Sequence, residues 1–219
     1  MLDLIIKLTL WFRGGLRCST ALLCIMVSIL ASINLFAQEE SMSAEIVKVY
    51  REELPPMRFI GKKYTADDFI DSNIGDKWEE WFHTDNDWFG IIKRQDDSEI
   101  AKSIFDKVGE TVALWYTTAE GDGSEYWIGT FMPANTPIPN GFTYMDFPAS
   151  SLGICWVYGT IPHIFGANEM VLKSLKEAGF EITPNEEGKY WTLESYFCPR
   201  YTTPDEHGKQ ILDRSYFVK

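Results

Sequence analysis

The order strand, proline, strand ending in tyrosine, then helix occurs twice in this chain, and that repetition limits the folds open to it more than any other feature. The first copy is Leu54-Pro55-Pro56-Met57-Arg58-Phe59-Ile60-Gly61-Lys62-Lys63-Tyr64-Thr65. The second is Phe147-Pro148-Ala149-Ser150-Ser151-Leu152-Gly153-Ile154-Cys155-Trp156-Val157-Tyr158-Gly159-Thr160. Proline has no N–H to give to a strand ladder, so it splits each extended segment in two. The first copy therefore predicts strands over 46–53 and 57–64, with an acidic helix start at Thr65-Ala66-Asp67-Asp68. Trp78, Trp81, Phe82, Trp88 and Phe89 suggest one buried helical face, interrupted near Thr84-Asp85-Asn86-Asp87. Residues 95–110 are polar and are expected to hold a loop or a short helix. A hairpin follows, with strands over 111–118 and 126–132 joined across Glu120-Gly121-Asp122-Gly123.

Residues 133–141 carry three prolines and two asparagines and read as a linker. The order of elements then repeats. Strands are predicted over 142–147 and 152–158, an amphipathic helix over 161–178 stopped by Gly179, and a hairpin from 190–197 and 211–218. The expected fold class is α+β, with two pseudo-symmetric βαββ halves at roughly 45–133 and 140–219. Two such halves can pack together and leave a ligand cleft between them.

Glu194 is the candidate residue of that cleft. It lies in Tyr190-Trp191-Thr192-Leu193-Glu194-Ser195-Tyr196-Phe197, a segment of strong strand character. Alternation puts Tyr190, Thr192, Glu194 and Tyr196 on one face and Trp191, Leu193 and Phe197 on the other. A buried carboxylate must find a cation, accept hydrogen bonds or hold a proton. Flanked by rings, it suits a cationic, apolar ligand. Aromatic residues are plentiful, with 8 Trp, 10 Tyr and 14 Phe, enough to line a cavity as well as fill a core. Tyr196, Trp156, Tyr116 and Tyr126 are the candidate cage. Exchange of Glu194 for glutamine is expected to cost the folded state little stability.

Net charge is −12. Residues 1–41 hold three basic and three acidic side chains, so the whole excess falls on the remainder. There is no Lys/Arg cluster, which speaks against direct contact with nucleic acid. His83, His163 and His207 lack partners at metal-ligand spacing, so neither a metal nor a cofactor is expected. Ser151 and Cys155 have no motif that sets a base beside them. Lys7, Arg13 and Arg17 precede an apolar run ending at Ala37, which reads as a secretory signal or an uncleaved anchor. Met42-Ser43-Ala44-Glu45 offers a second start. The domain is exported or anchored if Met1 is the start and cytoplasmic if Met42 is. A membrane partner is expected only through an uncleaved leader. Cys155 and Cys198 alone fall in the domain and define no disulfide framework.

Several segments, in this order, resemble the GyrI-like small-molecule-binding domain, also called the AraC effector-binding domain. They are Leu54-Pro55-Pro56-Met57-Arg58-Phe59-Ile60-Gly61, Tyr126-Trp127-Ile128-Gly129, Pro139-Asn140-Gly141-Phe142, Phe147-Pro148-Ala149, Leu193-Glu194-Ser195-Tyr196 and Ile211-Leu212-Asp213-Arg214-Ser215-Tyr216-Phe217-Val218-Lys219. The resemblance covers residues 45–219. It implies two βαββ halves and multidrug-type binding of amphipathic, often cationic compounds, with Glu194 at the motif glutamate that meets the positive charge. Some similar stand-alone members hydrolyse strained electrophiles with that glutamate, and others resemble inhibitors of DNA gyrase. This chain has Phe217 where the closing strand usually has proline, and no helix-turn-helix is attached. The expectation is a stand-alone binder of a small amphipathic cation, without chemistry and without a catalytic residue. The alternatives are a hydrolase acting through Glu194 and an acidic, sequestering interaction protein.

Overall fold

A computed structural model describes residues 43–68, 73–83, 85–117, 124–185 and 187–219. The apolar leader, the alternative start at Met42 and the Glu120–Gly123 turn lie outside the described residues. In chain order the elements are β1 (Glu45–Leu54), β2 (Met57–Thr65), a 3-10 turn (Ala66–Asp68), α1 (Gly75–Phe82), α2 (Trp88–Lys93), α3 (Glu99–Val108), β3 (Val112–Thr117) and β4 (Ser124–Pro133). Then come β5 (Thr143–Phe147), β6 (Ser150–Gly159), α4 (Ile161–Gly166), α5 (Asn168–Glu177), β7 (Thr192–Ser195) and β8 (Gln210–Val218). The fold is α+β. Both prolyl breaks fall where the sequence puts them, between β1 and β2 and between β5 and β6.

Three elements differ from the sequence expectation. The polar stretch 95–110 holds a ten-residue helix, α3. Ser98 accepts a hydrogen bond from the Ala101 N–H at 3.3 Å, and Gly109 ends the helix at φ +88°. Ala101, Ile104, Phe105 and Val108 recur at helical spacing and are buried, so a narrow apolar stripe suffices among polar neighbours. The single helix expected over 161–178 is two, α4 and α5, meeting at Ala167. The expected strand 190–197 is only four residues long, although all four are buried. Phe82, expected on a buried face, is 63% exposed, whereas Trp81 beside it is buried.

Among the described residues, eight strands form one antiparallel sheet in the order β1-β6-β8-β7-β3-β4-β2-β5. β2 and β4 approach closely because Gly61 faces Gly129. A Cβ on Gly61 would stand 2.2 Å from the Ile128 carbonyl oxygen. One face of the sheet packs against itself. Leu54 of β1 and Leu152 of β6 share a core cluster with Met57, Phe59 and Phe131 of β2 and β4. Phe147 of β5 stacks on Phe217 of β8 with centroids 5.1 Å apart, so strands far apart in the order touch across the curl.

The other face carries the helices in two groups. α1, α2 and α3 pack on Ile60, Ile128 and Met132, through Trp81, Ile92 and Phe105 among others, while Ile104 and Val108 of α3 join the cluster on the curled face. α4 and α5 pack on Cys155, Val157 and Leu212 through Ile164, Val171 and Leu175. β3 and β7, at the centre of the sheet, lie between these groups. Among the described residues no helix is long and apolar enough to cross a membrane.

Candidate functional site

The gap between the helical groups is a cavity of about 860 Å³. Its floor is the central pair of strands. Glu194 faces Ala113 across the β3–β7 ladder and Arg214 across the β7–β8 ladder. Residues directly opposite in an antiparallel pair share a face. Trp115 and Tyr126 are likewise opposite each other on β3 and β4. Hence Glu194, Trp115 and Tyr126 all reach the cavity. Trp78 and Phe82 of α1 wall it on one side and Phe165 of α4 on the other, with Cys198, Tyr201 and Thr202 also at its surface.

The walls are mostly ring. Trp78 meets Tyr196 edge-on at 4.8 Å, and Tyr196 meets Tyr201 at 4.8 Å. Trp78 Nε1–H donates to the Tyr126 hydroxyl at 3.1 Å. Glu194 is 5% exposed, and its Oε2 accepts the Tyr196 hydroxyl at 2.9 Å. Burial, and then the charge of Glu194, push the phenols of Tyr196, Tyr126 and Tyr201 above the ordinary tyrosine value. These rings therefore stay neutral and serve as hydrogen-bond donors.

Of the residues singled out in the sequence, Glu194, Tyr196 and Tyr126 come together in the cavity. Trp156 and Tyr116 are placed elsewhere. Tyr116 is opposite Glu125 on β4 and next to Trp115, so its ring emerges on the curled face. There it packs on Trp191 at 4.8 Å and accepts a hydrogen bond from Lys189 Nζ at 2.6 Å. Trp156 is opposite Asp213, one residue out of phase with Arg214, and also lies on the curled face. Lys48 Nζ is 4.4 Å from its ring centre and the Arg200 guanidinium 4.8 Å.

Arg214 is the residue the sequence reading missed. It is 0% exposed, and its Nη1 is 3.4 Å from Glu194 Oε1. A signal was present: Leu212, Arg214, Tyr216 and Val218 alternate along one strand face, and a charge in an apolar row must have a partner. Among the described residues no group of His, Cys, Asp and Glu is arranged to hold a metal ion. His163 is fixed at the start of α4 by a 2.7 Å contact between its Nδ1 and Thr160 Oγ1.

No family model and no curated protein matches the chain. Solved structures similar to it include SAV2435 bound to tetraphenylphosphonium, at 13% identity over 79% of this chain and 94% of that one, with a TM-score of 0.49. A putative bacterial transcription regulation protein from Staphylococcus aureus MU50 is 13% identical over 78% and 98%, with a TM-score of 0.46. A hydrolase from Listeria innocua is 7% identical over 78% and 92%, with a TM-score of 0.43. Likenesses at these scores assign neither family nor function to the chain.

Proposed function

We propose that the chain binds a small amphipathic cation in this cavity, without chemistry, as an effector-binding domain of the GyrI-like kind. One observation carries the proposal: a buried carboxylate that lines an aromatic cavity accepts a 2.9 Å hydrogen bond from Tyr196 and, among the described residues, has its nearest ion-pair partner at 3.4 Å. Apolar rings supply burial, and their faces attract positive charge. The volume is in the range of roughly 300–1,000 Å³ that suits drug-sized ligands. Tyr196, Tyr126, Trp78 and Trp115 form the cage in this proposal. Two related βαββ halves flank the cavity in the same proposal, supported by the strand order: exchanging β1–β4 for β5–β8 turns it into its own reverse.

The test is occupancy by tetraphenylphosphonium. The bound cation is expected to raise the melting temperature, since a ligand of the native state stabilises it. It should also shield the exposed thiol of Cys198 from alkylation by N-ethylmaleimide, read by peptide mapping. Neither a shift nor protection at millimolar cation would refute the binding role and move the acidic interaction protein ahead.

A second reading, hydrolysis of a strained electrophile, is favoured by the neutral Tyr126 hydroxyl beside Glu194. Water would bond to the electrophilic carbon and give its proton to Glu194. Tyr126 would protonate the departing oxygen and be reprotonated from Glu194. Conversion of styrene oxide to its diol, lost in Glu194→Gln, separates this reading from simple binding.

A further inference from the structure

We propose that Arg214 sets the sign of charge the cavity accepts. The inference rests on the binding role proposed above and concerns how that site chooses its ligand.

Two arginine–carboxylate pairs use consecutive residues of β8, Asp213 and Arg214, on opposite faces of the sheet, and they are built differently. Arg200 grips Asp213 with both arms, Nε to Oδ1 at 2.9 Å and Nη2 to Oδ2 at 2.7 Å. Each of those charges is spent on the other. Arg214 comes no nearer to Glu194 than 3.4 Å. Its stronger tether is to α4, where Nη1 donates to the Phe165 carbonyl at 2.9 Å and the Ile164 carbonyl at 3.4 Å. Nη2 donates to Asn168 Oδ1 at 3.4 Å, and among the described residues Nε has no hydrogen-bond partner. Neutral acceptors therefore hold the guanidinium in place, whatever happens at Glu194.

The positions of the two charges are unequal as well. Glu194 forms part of the cavity wall, and Arg214 does not. The guanidinium lies beside Glu194 on the next strand and near Trp115, with its centre 5.6 Å from the ring, and Trp115 is itself a wall residue. A ligand meets the carboxylate directly and a permanent positive charge just outside the wall. At these separations in a poorly solvated site the two fields overlap and partly cancel. The net preference for cations is thus a small difference between two large opposing terms, and either residue can tip it.

Tetraphenylphosphonium and tetraphenylborate share a shape and differ in sign, so their affinity ratio reads the field with burial held constant. Calorimetry on the full chain at low salt would compare the unaltered protein with Glu194→Gln, Arg214→Gln, Arg214→Lys and the Glu194→Gln/Arg214→Gln pair. The unaltered protein is expected to favour the cation. Glu194→Gln should reverse the ratio and favour the borate, by about tenfold or more, because Arg214 is left uncompensated. Arg214→Gln should raise the cation preference by a similar factor, and Arg214→Lys should leave it near the original. The double variant should bind both probes alike. If Glu194→Gln loses the cation without gaining the borate, or Arg214→Gln folds and leaves the ratio unchanged, Arg214 is a strut of α4 and the proposal is overturned. If Arg214→Gln shows no cooperative melt, the reversal in Glu194→Gln decides. Binding of neither probe by the unaltered protein and the double variant refutes the binding role itself, and the proposal falls with it.

Discussion

Replacing Glu194 by glutamine tests the energetics of the cavity floor without any ligand. The sequence alone suggests a small cost, since glutamine keeps the volume and sheds a poorly solvated charge. Arg214 changes that estimate. Opposite charges 3.4 Å apart attract by about 5 kcal/mol at an effective dielectric near 20. Most of this is offset. The carboxylate's own desolvation is relieved, the glutamine oxygen still accepts from Tyr196, and Arg214 keeps the Phe165 and Ile164 carbonyls and Asn168. Breaking a well-made buried pair costs about 3–5 kcal/mol. The long contact here should cost less, about 2 kcal/mol. For a chain of this size that corresponds to a fall of about 4–8 °C in melting temperature. Circular dichroism melts and urea titrations would measure it, and Asp213→Asn, which breaks the two-armed pair with Arg200, should be the more damaging change. A Glu194→Gln protein that melts at or above the original temperature would show that α4 alone satisfies Arg214, and that the carboxylate is a net burden kept for another purpose.

Alkaline stability follows from the same phenols. Burial raises Tyr196, Tyr126 and Tyr201, and pushes Tyr64 and the Cys155 thiol up to about 12. The folded chain then keeps protons that the unfolded chain releases. Stability should be full below the ordinary thiol value of 9.0 and fall as pH rises towards the folded values. Tyrosinate absorbance from the buried rings should rise together with loss of structure; ionisation of those buried rings in a protein that still melts cooperatively would contradict this. Gly61→Ala should cost about 3 kcal/mol or more, since the added methyl meets backbone atoms of β4 at 2.2 and 2.8 Å, and soluble protein with an unchanged melt would refute it. Residues 42–219, produced without the leader, should melt cooperatively, because every described element begins at or after Glu45.

Legibility in the sequence followed the strength of local rules. The prolyl breaks at Pro55-Pro56 and Pro148 were readable because proline acts on its own neighbours. The cage was only half readable. Alternation correctly sets Glu194 apart from Leu193, but it does not fix the register between strands. That register puts Tyr126 with Glu194 and carries Tyr116 and Trp156 to the opposite face. The break at Ala167 was marked by Gly166 just before it, a stop signal masked by the apolar pattern that runs on past it, and α3 hid a four-residue apolar stripe among charges. Arg214 was hidden by a different limit. Its charge is evident in the row of β8, but its partner Glu194 is 20 positions away and becomes visible only once β7 and β8 are paired.

The strand order also dictates how this chain must be made. β1 is synthesised before the other described elements, and its ladder is with β6, so Glu45 waits for Tyr158 and Leu54 for Ser150. The seam at the centre joins Val112 to Ser195, and β5 closes onto β2. Loop-closure entropy falls due before these contacts return any energy, so refolding should be slow, on the order of milliseconds to seconds. Until β6 appears, β1 is an unpaired edge that any neighbouring copy can use. At high concentration the same exchange between two chains would give a strand-swapped dimer, with each β1 seated on the other chain's β6.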